Sequence, residues 1–270
     1  MRAIVSHDVD HITILEHALD AFVPKQTLRS FIELCSGLVT GAEFIERLGR
    51  VVRNRGNNLL DLLRFDRETG VPAVYFVAVA KGKNLSYGLK RAAGAIAIIK
   101  EYGFEVGLHT TSGWDIAKLK IERESFQRLV GPELFGVRAH YLADGFDRNS
   151  CLTEIGFLYD SSELSEAAPY VVGGIWEFPV HIMDSVLFEN GKRWQSISFR
   201  EARERTRHAI ARLDQAKVSH MTILFHDYYF CTAFRSFFDW YRWLIDFLRR
   251  ERYSLVNYRN ALRKLGTKSG

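Results

Sequence analysis

Short apolar runs alternate along the chain with longer stretches in which apolar positions recur every three or four residues. That is the pattern of strands feeding amphipathic helices around a parallel sheet. Strands are expected at Arg2–Ser6, Ala73–Val79, Glu105–Leu108, Phe135–Ala139, Phe157–Tyr159, Ile175–Val180 and Met221–Phe225. Helices are expected at Lys25–Leu34, Gly41–Arg53, Tyr87–Tyr102, Asp115–Leu129, Phe199–Gln215 and Phe234–Arg252. Gly103 stands where the third of these would end in left-handed backbone. Ser198 is expected to cap the helix that follows it, with Glu201 reaching back. Trp240, Leu244, Phe247 and Leu248 fall on one face of the last helix and would pack inward.

Polar groups gather at the strand ends. Val5 leads to His7, Asp8 and Asp10, and Val106 leads to His109. Val137 leads to Arg138 and His140, Phe157 to Tyr159 and Asp160, and Leu224 to His226 and Asp227. In a parallel barrel these C-terminal ends meet at one rim, where barrel active sites form.

Composition narrows the function classes. Of 270 residues, 47% are hydrophobic and 26% charged, ordinary for a globular protein with a sizeable core. The 5 prolines form no linker, so one domain over 1–270 is expected, with a helical insertion at 20–66. A net charge of +5 without a nucleic-acid reading motif argues against a nucleic-acid partner. Cys35, Cys151 and Cys231 form no CxxC pair and are odd in number, which fits a reducing compartment. The start of the chain shows no signal-like apolar stretch, and no run is long enough to span a bilayer, so a cytoplasmic location is expected. The basic, aromatic Trp240–Arg252 stretch suits either the last barrel helix or a peripheral membrane contact.

Four constellations carry chemistry. In Ser6-His7-Asp8-Val9-Asp10-His11, two carboxylates two positions apart point the same way on an extended backbone. Two such carboxyls sit close together comfortably only around a cation or with a proton shared between them. A divalent metal fits, one carboxylate serving as ligand and the other as base for an attacking water. His109 adds the commonest type of metal ligand. Arg138 is suited to grip a carboxylate in bidentate fashion and so orient a catalytic Asp, with His140 on the same face. His226, at a strand end, suits a general acid. Glu177 is a candidate partner behind these groups.

Taken in order, these blocks resemble the polysaccharide deacetylase superfamily, carbohydrate esterase family 4, from Ile4 to about Tyr228. His7-Asp8-Val9-Asp10 looks like its first motif and Pro72-Ala-Val-Tyr-Phe-Val77 like its second strand. Glu105-Val-Gly-Leu-His109 resembles the histidine motif and Gly136-Val-Arg-Ala-His140 the arginine motif. Tyr159-Asp-Ser-Ser162, Glu177-Phe-Pro179 and Leu224-Phe-His226-Asp227 are similar to the remaining landmarks. The resemblance implies a distorted (β/α)7 barrel and a divalent metal, zinc first, with cobalt, nickel or manganese as alternatives. Two departures stand out: Gly113 occupies the place of the usual second metal histidine, and Val9 splits the usual adjacent Asp pair. Asp8 then falls as base, Asp10 and His109 as ligands. The third ligand is drawn from His140, Asp115, His7 and His11, with His140 preferred.

The implied activity is metal-dependent removal of an N-acetyl or other acyl group from a carbohydrate or glycan precursor, with Asp8, His226 and Arg138 catalytic. Trp114, Tyr141, Tyr228 and Tyr229 are candidates for stacking on sugar rings. Two other readings share the fold: a non-catalytic carbohydrate-binding protein, and a hydrolase of a non-sugar C–N bond.

Overall fold

A computed structural model gives the architecture and describes residues 1–17, 21–145, 147–190 and 193–266. In chain order the elements are β1 (Arg2–Val9), α1 (Phe22–Cys35), α2 (Gly41–Val52), α3 (Leu59–Glu68), β2 (Val74–Val77), α4 (Leu89–Glu101), β3 (Glu105–Thr110) and α5 (Ile116–Val130). There follow β4 (Val137–Ala139), α6 (Arg148–Ile155), β5 (Tyr159–Asp160), β6 (Tyr170–Val172), β7 (Ile175–Glu177), β8 (Val180–Met183) and α7 (Asp184–Phe188). The chain ends with α8 (Phe199–Gln215), β9 (His220–Leu224), α9 (Arg235–Arg250), β10 (Ser254–Leu255) and α10 (Tyr258–Gly266).

The strands lie in the order β6-β7-β5-β4-β3-β2-β1-β9-β8, with β10 beside β1. Every pairing is parallel except the β6–β7 hairpin. The parallel run from β5 to β8 curls until Leu164, just past β5, meets Val180 of β8 in one isolated bridge. Seven parallel strands therefore make the distorted (β/α)7 barrel that the family resemblance implies.

Three differences from the expected elements have clear causes. The first strand runs on to Val9 because its polar residues find partners: Ser6 Oγ donates to Ile223 O at 2.9 Å and His7 meets Asp66 at 3.0 Å. The sixth expected strand, Ile175–Val180, is two strands in different parts of the sheet. Pro179 has no N–H to continue a ladder, so the chain leaves β5 at β7 and joins β9 at β8. Ser198 does cap α8 by accepting from Glu201 N at 3.2 Å, but Glu201 turns to Arg205 at 2.6 Å instead of reaching back.

Between β1 and β2 lie α1, α2 and α3; residue 20, where the helical insertion was expected to begin, falls outside the described residues. Gly103 ends α4 at φ 84°, as expected. Trp240, Leu244 and Leu248 of α9 are buried in the core, so this helix offers no free apolar stripe to a membrane. No helix among the described residues is long and apolar enough to cross one.

Candidate active site

The rim collects its polar groups because β1, β3, β4 and β9 end at one side of the barrel. Asp8 and Asp10 come from the end of β1, His109 from β3, Arg138 and His140 from β4 and beyond, and His226 from just past β9. Asp8, Asp10, His109, His140 and His226 all line one cavity of about 340 Å³.

At its floor, three donor atoms converge. Asp10 Oδ1 lies 3.2 Å from His109 Nε2 and 3.8 Å from His140 Nδ1, and the two ring nitrogens are 3.0 Å apart. His109 Nδ1 is 3.1 Å from the Arg138 carbonyl and His140 Nε2 is 2.9 Å from the Lys83 carbonyl. A carbonyl only accepts, so each of those nitrogens carries the proton, and in the neutral rings the facing nitrogens are bare lone pairs. Asp10 Oδ1 is buried and takes no hydrogen bond among the described residues. Two lone pairs and a carboxylate oxygen turned toward one another fit a divalent cation. Donors at 2.0–2.1 Å from a tetrahedral zinc would lie about 3.3 Å apart, and the three separations here are 3.0, 3.2 and 3.8 Å.

Without a cation, the carboxylates and rings of this cluster act on one another's charge. Burial opposes the Asp10 charge, but His140, His109 and His226 together hold its carboxyl well below the usual range. Burial likewise disfavours charge on His109, yet Asp8 and Asp10 outweigh it and raise its pKa. Burial lowers the pKa of His140.

Beside the cluster, Asp8 is fixed by Arg138, whose Nη1 donates to Asp8 Oδ1 at 2.8 Å. The expected bidentate grip is not formed. Arg138 Nη2 donates instead to Ser6 Oγ, Ser161 Oγ and Tyr258 OH, each at 2.9 Å, while Nε donates to Ser161 O at 2.9 Å. The other oxygen, Asp8 Oδ2, stays 3.8 Å from His109 Nε2.

On the opposite side His226 is held by a residue that sequence reasoning missed. Asp184, fully buried after β8, accepts from the His226 backbone N–H and from Nδ1, both at 2.7 Å. His226 Nε2 then faces Asp10 Oδ2 at 3.7 Å. Burial opposes its charge, but Asp184 and then Asp10 push its pKa up to about 10. The signal for Asp184 was an apolar run, Val180-His-Ile-Met, ending in an acid as β1 does.

The other candidates separate cleanly. His7 points to the opposite face of β1 and bonds to Phe225 O at 2.8 Å and to Asp66. His11 pairs with His17 at 2.9 Å, and burial lowers its pKa to about 3. Asp115 is spent capping α5 at the N–H groups of Ala117 and Lys118. Glu177 binds Arg148 at 2.6 Å, away from His226. Asp227 is buried, and burial raises its pKa well above the usual range.

Of the aromatic candidates, Tyr141, Tyr228 and Tyr229 line the cavity, with Tyr141 56% exposed. Trp114 is buried, with Nε1 donating to Ala143 O at 2.6 Å, and is packing rather than wall. Trp194 and, from α1, Phe22, Lys25 and Arg29 also line the cavity and were not foreseen.

No protein-family model and no curated protein matches the sequence. Solved structures do. The fold is similar to that of a protein described as a polysaccharide deacetylase from Mycobacterium smegmatis, with a TM-score of 0.65 and 16% identity over 98% of this chain and 91% of that one. It is also similar to the Puue allantoinase, with a TM-score of 0.61 and 12% identity over 97% of this chain and 88% of that one. A carbohydrate esterase family 4 pseudoenzyme from Bacillus anthracis matches with a TM-score of 0.52 and 10% identity over 96% of this chain and 64% of that one. At these identities the likeness establishes the fold, the barrel of the polysaccharide deacetylases.

Proposed function

We propose that this chain is a divergent polysaccharide deacetylase: a metal-dependent hydrolase that removes an N-acetyl or other acyl group from a carbohydrate. The observation that carries the proposal is the convergence of Asp10, His109 and His140 between an arginine-held Asp8 and an aspartate-held His226.

Asp10, His109 and His140 would hold the cation, and His140 supplies the third donor that the family's usual second histidine would give, where this chain has Gly113. Bound there, a divalent metal supplies Lewis acidity, polarising a carbonyl and making water a nucleophile near neutral pH. The chain's own groups do the rest. Asp8 accepts the proton of the attacking water at Oδ2, because Oδ1 is engaged by Arg138. His226 gives a proton from Nε2 to the departing amine or alcohol, since Nδ1 is engaged by Asp184. Tyr141, Tyr228 and Tyr229 offer aromatic surface to a sugar.

A second reading, hydrolysis of a non-sugar C–N bond, is favoured by the likeness to an allantoinase. Elemental analysis of the purified chain, with acetate release from a panel of N-acetyl sugars and small amides under added Zn²⁺ or Co²⁺, tests both. About one metal per chain, lost together with turnover in Asp10→Ala and His109→Ala, supports the proposal. A wild type that stays metal-free and silent under every added metal sinks it and leaves the carbohydrate-binding reading, in which Asp8→Asn keeps full sugar affinity.

A further inference from the structure

Helices α1 and α2 are built inside out. A surface helix ordinarily turns apolar residues to the core and polar ones to water. In α1 the buried positions include Gln26, Ser30 and Glu33, while Leu28 and Phe31 are 61% and 53% exposed. In α2 the buried positions are Glu43, Arg47 and Arg50, while Ile45 and Val52 are 70% and 86% exposed.

The buried polar groups explain the inward half. Arg47 pairs with Glu33 and donates to Ala233 O at 2.7 Å, and Arg50 donates to Asn58 Oδ1 at 2.7 Å. These bonds anchor both helices over the barrel and commit their apolar residues to the outside. The outward residues join up. Leu28 and Phe31 are one turn apart, Ile45 and Val52 two turns apart, and Phe31 meets Phe44 at 6.4 Å across the helix pair. Leu15 N donates to Asn54 Oδ1 at 2.7 Å, which brings the 69% exposed Leu15 beside the end of α2.

Charge identifies what covers this face. Lys25, Arg53 and Arg55 are exposed around it, whereas none of the exposed residues between 21 and 60 is acidic. Of the acids in that stretch, Glu33 and Glu43 are buried and Glu46 accepts from Thr232 at 2.7 Å. A two-fold contact with a second copy would set this basic rim against itself. An apolar patch rimmed by basic residues matches an anionic bilayer surface, where the side chains enter the interface and the cations meet lipid phosphates.

From this we infer that the outward face of α1 and α2 rests on an anionic membrane surface. The same α1 lends Phe22, Lys25 and Arg29 to the cavity wall, so the cavity lies at the edge of the docked face. The inference is independent of catalysis.

Co-sedimentation of the full chain with phosphatidylcholine vesicles, with and without about one quarter phosphatidylglycerol, tests it. The wild type is expected to pellet with the anionic vesicles and to be released as salt rises from about 0.1 M to about 0.5 M. Leu28→Glu/Ile45→Glu/Val52→Glu should weaken binding more than about tenfold. Ile121→Glu, at a position 66% exposed on α5, should leave it unchanged. A wild type that stays in the supernatant, or binds without regard to phosphatidylglycerol, overturns the inference. So does a dimer in light scattering that the triple variant dissociates, which would make a second copy the occupant.

Discussion

His109 Nε2 and His140 Nδ1 face each other across 3.0 Å, and each ring gives its other N–H to a backbone carbonyl. Those carbonyls fix both tautomers, so the two lone pairs are aimed at the same point before any cation arrives.

On the proposed reading His140 is a metal donor in its own right. Zinc added to the metal-stripped wild type should raise its thermal midpoint, since a ligand at 100 times its Kd stabilises by about 2.7 kcal/mol. His140→Ala should weaken zinc affinity by at least about 100-fold, beyond the effect of losing a group that only orients a ligand. Titration calorimetry reads this directly. Unchanged affinity would move the third donor elsewhere.

His226 and the metal donors should come apart in mutants. His226→Ala is expected to retain about one metal per chain while turnover falls about 10²–10⁴-fold, the usual worth of a positioned acid or base. Asp184→Asn should lower kcat and leave KM and metal content near wild type, because the hydrogen bonds of the Asp184 carboxylate among the described residues go to His226 and to the Ser185 backbone N–H. Metal loss in His226→Ala would make that residue a ligand and the acid assignment wrong.

Arg138 is buried and spreads its donors over Asp8, Ser6, Ser161 and Tyr258. Removing one partner of a buried ion pair leaves the other charge uncompensated, so Arg138→Met should destabilise the fold by about 3–5 kcal/mol in urea unfolding. A shift below about 1 kcal/mol would mean that Asp8 finds another partner.

Glu105 sits far from the rim, and burial raises its pKa from 4.5 to about 7 despite Arg259 nearby. A carboxyl with a raised folded pKa binds more protons in the folded chain than in the unfolded one. Its share of stability therefore falls as pH rises from about 4.5 to about 7 and is flat above. The fall is of order 3 kcal/mol at 1.36 kcal/mol per unit. Glu105→Gln should flatten that slope in urea titrations across the window. A slope identical in the variant would assign it to another group.

The barrel and most of the rim were legible because they rest on local pattern. Apolar runs ending in His, Asp or Arg mark strands whatever their neighbours do. What was missed depends on contacts between distant segments. Asp184 was passed over because the expected strand ended at Val180, whereas Pro179 separates two strands that join different neighbours. The α1 contribution to the cavity could not be read, because nothing in its periodicity tells how an insertion folds over a barrel. Trp114 looks like a sugar platform by its place after β3, yet it is buried with its indole N–H donated to Ala143 O and does not line the cavity.

The seam of the barrel has a mechanical consequence. Asp8, Asp10 and His109 stand on or beside β1 and β3, strands paired without a register break on both sides. Asp184 follows β8, the strand whose far edge meets the segment past β5, among the described residues, in the isolated Leu164–Val180 bridge and the His181–Ala167 bond, and whose register slips between Val180 and Ile182. Loosening that edge would disturb the Asp184 brace on His226, the proposed proton donor, while leaving the ladders that carry Asp10 and His109 in place. Mild heat or denaturant would thus silence the chain before it releases metal, and the two halves of the chemistry would fail one after the other.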